Sequence, residues 1–142
     1  VSPDGPDETV LGFDYGERRI GVAVGQTVSR TASPLRTLPA KSGQPDWVVV
    51  AKLLAEWKPN RAVVGLPTTA DGAPHPVVEA ARRFARRLHG RFGLPVVFVD
   101  ERLSSHAAAE RTRDVDALDA MAACVILETW LAEGPAAERS PA

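Results

Sequence analysis

Asp14 ends an apolar stretch, Val10-Leu-Gly-Phe-Asp-Tyr-Gly16, where a carboxylate is out of place. Burying an unpaired carboxylate costs on the order of several kcal/mol, so such a residue needs a partner: a metal ion, an arginine or the N–H groups of a turn. Two more acids stand in comparable positions. Glu101 comes just after the apolar run Pro95–Val99, and Asp119 precedes Ala122, Ala123, Ile126 and Trp130. Those four recur at helical spacing, so a helix there turns Asp119 the way its apolar stripe points. Oxygen ligands from three separate elements suit one or two Mg²⁺ or Mn²⁺ ions. With two ions, water is activated at one and the leaving oxygen of a phosphodiester is stabilised at the other. Each acid also has a plainer reading. Asp14 can cap a turn, Glu101 can pair with Arg102, and Asp119 or its neighbour Asp116 can occupy a helix first turn favoured by the dipole.

Basic residues are the next candidates. Arg18 and Arg19 lie in the turn beside Asp14, and Arg102 follows Glu101. Any one of Arg18, Arg19 or Arg102 is a candidate to steady a nucleic-acid backbone. Between Arg82 and Arg91 stand five arginines and no acid. Of these, Arg82 and Arg86 are phosphate contacts on one reading and solvated helix surface on the other. His75, His89 and His106 show no ligand spacing and read as surface or helix-end residues. The single cysteine, Cys124, excludes an internal disulfide and reads as core. Trp47, Trp57 and Trp130 read as packing residues or part of a dimer contact.

The elements that must position these side chains alternate. Val10–Tyr15 and Ile20–Val24 read as a hairpin. Ala32–Leu38 reads as a third strand that Pro34 confines to an edge or a bulge. Pro39–Pro45 reads as a loop. Asp46 can cap a helix carrying Trp47, Val50, Leu53, Leu54 and Trp57 at helical spacing, closed by Pro59. Ala62–Leu66 is an apolar strand of the kind covered on both faces. A helix over Val77–His89 ends at Gly90 and Gly93. Pro95–Val99 is another buried strand. A short helix then runs from Ser104 or Ser105 to about Arg111, and a last one from Val115 to Ala132. This order predicts an α/β fold with a mixed sheet and helices on both faces, its site at neighbouring strand ends.

The 142 residues suit one domain. Residues 1–8 read as a disordered lead-in, 9–133 as the folded domain and 134–142 as a flexible tail. A net charge of −1 does not advertise nucleic-acid binding by bulk charge. From Asp100 onward, however, acids outnumber bases nine to four, so charge is unevenly placed. No apolar run reaches membrane-spanning length and the first residues lack a signal-peptide pattern, which makes the cytoplasm the expected compartment.

Several segments together resemble the YqgF family, also called RuvX. They are Phe13-Asp-Tyr-Gly16 with Ile20-Gly-Val-Ala-Val-Gly25, Val64-Gly-Leu-Pro67 with Asp71-Gly72, His89-Gly-Arg-Phe-Gly93, Asp100-Glu-Arg-Leu-Ser104 and Asp119 to Glu128. The resemblance spans residues 10–132 and implies a ribonuclease H-like fold. It implies that Asp14, Glu101 and Asp119 are the catalytic, metal-holding acids, with Asp119 rather than Asp116 in register. Family members are described as nucleases maturing the 5′ end of pre-16S rRNA, and by fold analogy as Holliday junction resolvases, which would act on branched DNA as a homodimer. The implied partner is therefore nucleic acid, without a membrane. A non-catalytic nucleic-acid or ribosome-binding module is the reading from another class. An actin-like kinase is disfavoured because it needs two such domains. The chain departs from the family in the short, acidic stretch from Glu110 to Leu118 and in Thr69-Ala70.

Overall fold

The computed structural model describes residues 7–66, 76–100, 115–134 and 138–139. The chain opens with three antiparallel strands, β1 (Thr9–Asp14), β2 (Arg19–Gln26) and β3 (Thr31–Lys41), followed by the two-residue β4 (Gln44–Pro45). Helix α1 (Trp47–Trp57) leads to β5 (Arg61–Leu66), α2 (Pro76–Phe92) to β6 (Val96–Asp100), and then come α3 (Val115–Glu133) and β7 (Glu138–Arg139). The described strands form one sheet in the order β4-β3-β2-β1-β5-β6-β7. β5 runs parallel to β1 and β6 parallel to β5. The C-terminal ends of β1, β5 and β6 therefore share one edge of the sheet, where Asp14, Leu66 and Asp100 stand.

Alternation along β1 divides the side chains between two cores. Leu11, Phe13 and Tyr15 face α1 and α2, packing with Val50, Leu53, Ala81, Phe84 and Leu88. Val10, with Ala23, Val63 and Val99 of neighbouring strands, faces α3 and packs on Ala123, Ile126, Leu127 and Trp130. Helices cover both faces, as the apolar runs of β5 and β6 predict.

The local chemistry explains most element ends. The Asp46 carboxylate accepts the Val48 N–H at 3.0 Å and caps α1, while Lys58 closes it in the left-handed region, donating its N–H to Leu54. In the β2–β3 ladder Val22 pairs with Arg36 and Ala23 with Pro34, so Leu35 is the extra residue of a bulge beside the proline.

Four stretches differ from the sequence reading. Residues 39–45 are not a plain loop: β3 runs to Lys41 and turns into β4 through Ser42 and Gly43, both at positive φ, as a two-residue hairpin turn of the I′ kind demands. Helix α2 passes through Gly90 and stops at Phe92, because the positive-φ residue that can break it is Gly93, whose N–H bonds to the His89 carbonyl at 2.7 Å. Within the stretch read as a tail, Glu138 and Arg139 pair with Val99 and Phe98. At the other terminus Glu8 is tied to the body, accepting from Arg61 at 3.0 Å and donating its N–H to Thr27. The short helix expected near 104–111 lies outside the described residues.

Candidate active site

Asp14 is the last residue of β1 and is half-buried. Counting by twos from Val10 places Asp14 and Gly12 on the face that α3 covers. A Cβ at Gly12 would lie 3.0 Å from the Ala123 carbonyl oxygen and from Leu127 Cβ, which fixes that orientation. Across the ladder Asp14 is register partner to Gly21. A Cβ at Gly21 would overlap the Asp119 carbonyl group. Asp14 and Asp119, separated by most of the chain, thus meet on the two sides of one glycine. Antiparallel partners stand about 5 Å apart at Cα, so the backbones of Asp14 and Asp119 both lie beside Gly21.

The Asp119 carboxylate is held from below. Arg19, the first residue of β2, donates its Nε–H to Asp119 Oδ2 at 2.9 Å. Side-chain exposure is 59% for Arg19 and 23% for Asp119, so water screens the pair and its contribution to stability is about 1 kcal/mol at most. Scaffolding alone is therefore a weak reason for this contact. The same two residues line an open cleft with Gly16, Glu17, Arg18 and Val77. Its volume of about 430 Å³ leaves room for a phosphate and a hydrated cation, at roughly 30 Å³ per water.

Two hydrogen bonds tie the backbone of this rim to the neighbouring strand and turn. The Arg18 carbonyl accepts the Ala40 N–H at 2.9 Å, and the Glu17 carbonyl accepts the Gly43 N–H at 3.1 Å. Tyr15 points to the other face, where its hydroxyl donates to the Gly43 carbonyl at 2.9 Å. Burial, reinforced by nearby Glu17, pushes the Tyr15 phenol above its ordinary pKa, against the lowering effect of Arg83 and Arg87.

Of the residues singled out in the sequence, Arg18, Arg19 and Asp119 line one cleft, and Asp14 is the register partner of Gly21, on which Asp119 packs. Glu101 and Arg102 lie outside the described residues, directly after Asp100 at the end of β6. Arg82 and Arg86 do not join the cluster. They line a separate cleft with His89, Pro95, Val96 and Phe98, on the sheet face opposite α3, and Arg86 pairs with Glu79 at 3.2 Å. His89 Nδ1 lies 3.0 Å from the carbonyl of Leu94, just past the end of α2, and Cys124 is buried in the α3 core. His75 and His106 lie outside the described residues. Among the described residues no three His, Cys, Asp or Glu side chains stand close enough to hold a metal by themselves. Asp14 and Asp119 supply hard oxygens, the donor chemistry that divalent Mg²⁺ or Mn²⁺ accepts.

Sequence reasoning missed Gly21. Its signal was present, since glycine inside a strand marks a close backbone approach, and Gly12, Gly21 and Gly25 all press against α3. The pairing of Arg19 with Asp119 had no local signal.

A family model described as "RuvX: Holliday junction resolvase" matches residues 8–133. Curated relatives named "Putative pre-16S rRNA nuclease" are similar over nearly their whole length. The one from Azotobacter vinelandii is 53% identical over 135 aligned positions, covering 89% of this chain and 95% of the relative. The one from Pseudomonas paraeruginosa is 49% identical, covering 95% and 99%. Among solved structures, T. thermophilus RuvC in complex with a Holliday junction substrate aligns with a TM-score of 0.59 at 16% identity, covering 92% of this chain and 99% of that one, which shows a shared fold. No helix among the described residues is long and apolar enough to cross a membrane.

Proposed function

The chain belongs to the RuvX family and is a nuclease, and from that premise we propose that it matures the 5′ end of pre-16S rRNA by divalent-metal-dependent phosphodiester hydrolysis. The observation that carries the reading is the packing of the Asp119 backbone on Gly21, the register partner of Asp14, beside a cleft that Arg18, Arg19 and Asp119 line. The names of the half-identical relatives support the RNA substrate.

In this reading Asp14, Asp119 and Glu101 hold one or two Mg²⁺ or Mn²⁺ ions. Bound there, the cation supplies charge stabilisation and lowers the pKa of water. The chain's own residues do the rest. Asp14 is fixed by its place at the end of a central strand. Asp119 is fixed by the contact of α3 with Gly21. Arg18 and Arg19 orient the phosphodiester backbone, with Arg102 beside Glu101 as a further contact. Arg82 and Arg86, on the opposite sheet face, would serve only a substrate long enough to wrap the domain. In this reading the enzyme works in the cytoplasm, the compartment that a ribosomal RNA substrate implies.

A second reading, cleavage of Holliday junctions, is favoured by the description of the family model. Symmetric cuts in a four-way junction require two sites, hence a homodimer. A cleavage panel distinguishes the two. Precursor rRNA ends, single-stranded RNA and four-way DNA junctions are set side by side with Mg²⁺ or Mn²⁺, with Asp14→Asn as control. Cleavage of the rRNA end that Asp14→Asn abolishes supports the proposal. Full activity in that variant overturns the assignment of Asp14. Tight binding with no cleavage of any substrate would instead make the protein a nucleic-acid-binding module.

A further inference from the structure

We propose that Arg19 is a positioning residue that couples metal loading to substrate docking. It holds the Asp119 carboxylate in the metal-free protein and exchanges that carboxylate for a substrate phosphate when a divalent cation takes Asp119. The inference rests on the metal-holding role proposed above for Asp119.

Three observations carry it. First, the contact occupies an oxygen a cation would want: Arg19 Nε lies 2.9 Å from Asp119 Oδ2. A guanidinium and a divalent cation on one carboxylate repel each other, and the doubly charged ion has the stronger claim. Second, the exchange needs only a side chain to move. The Arg19 backbone is pinned in the ladder opposite Pro39, and the Arg18 carbonyl is tied to the Ala40 N–H, while the Arg19 side chain is 59% exposed. Exposed ion pairs of this kind shift an equilibrium by about fivefold at most, so a cation can displace one. Third, the released arginine stays in the cleft it already lines with Arg18 and Gly16. Its planar fork of donors matches a phosphate better than the lone contact it leaves. Linkage then requires reciprocity: whatever factor metal lends to phosphate docking through Arg19, phosphate lends back to metal.

The test is a Mn²⁺ titration of the full chain, read by electron paramagnetic resonance, in wild type, Arg19→Gln and Arg18→Gln. The expected result is Mn²⁺ binding about two- to fivefold tighter in Arg19→Gln, with a much smaller change in Arg18→Gln. In Ca²⁺, Arg19→Gln should bind a precursor 16S rRNA 5′-end fragment about three- to tenfold more weakly by fluorescence anisotropy. Unchanged or weaker Mn²⁺ binding in Arg19→Gln overturns the exchange. So does equal tightening in both variants, which would reflect cleft charge alone. Should Arg19→Gln fail to fold, the Arg19 Nε–H resonance of the wild type gives the same answer. It should lose its protection on saturation with Mg²⁺, and retained protection overturns the inference. If Mn²⁺ does not bind the wild type, the metal reading falls together with this one. If it binds and only the Arg19 prediction fails, the metal reading stands.

Discussion

Gly21 lies so close under the backbone of Asp119 that a side chain there would overlap the Asp119 carbonyl. The contact sets how near α3 comes to β2, and so how near Asp119 comes to Asp14, the register partner of Gly21. The geometry of the proposed site and the packing of the helix therefore rest on one contact.

Gly21→Ala should therefore destabilise the protein by about 3 kcal/mol, since the neighbour is helix backbone rather than a flexible side chain. Nuclease activity should fall with it. Gly90→Ala is the matched control. Gly90 sits inside α2 with nothing near its Cβ position and no positive φ, so alanine should stabilise by about 0.5 kcal/mol. Urea denaturation of both variants measures the contrast.

Phe84 anchors the opposite face. Fully buried, it packs edge-on to Phe13 at 5.5 Å and stacks on Trp47 at 5.8 Å. Phe84→Ala should cost about 3–5 kcal/mol by leaving a cavity that strands and helices cannot close. Thermal unfolding of the variant tests this, and a cost below about 1 kcal/mol would contradict the packing.

Tyr15 is the single tyrosine of the chain, so tyrosinate absorbance reports one site. Burial raises its folded pKa above the ordinary tyrosine value of 10.0. The folded state therefore keeps a proton that the unfolded chain gives up. The resulting stability is fully present below pH of about 10 and is lost as pH rises through the higher folded value. Unfolding free energy should decline across that window, and the decline should be absent in Tyr15→Phe. That variant also loses the hydrogen bond to Gly43, at about 1 kcal/mol near neutral pH.

Asp46→Ala removes the side chain that accepts the Val48 N–H at the start of α1. The expected loss is about 1 kcal/mol, with cleavage unchanged, because α1 packs on the face away from Asp14 and Asp119. Chemical denaturation and the rRNA cleavage assay read the two halves of this expectation.

Local features could be read from residue order. The apolar runs around Val10, Ala62 and Pro95 specify strands because their composition suits a covered sheet. The spacing from Trp47 to Trp57 specifies a helix, Asp46 its start, and Pro34 a flaw in the third strand. Asp14 was legible because a carboxylate at the end of an apolar strand is costly without a partner. Tertiary structure alone decided what depends on register and strand order. It brought Asp119 over Gly21 beside Asp14, gave Asp119 to Arg19 a hundred residues away, and turned Arg82 and Arg86 to the other side of the sheet. Periodicity says which residues of an element share a face. Which partner that face meets follows from the packing of the whole chain, to which no single segment holds the information.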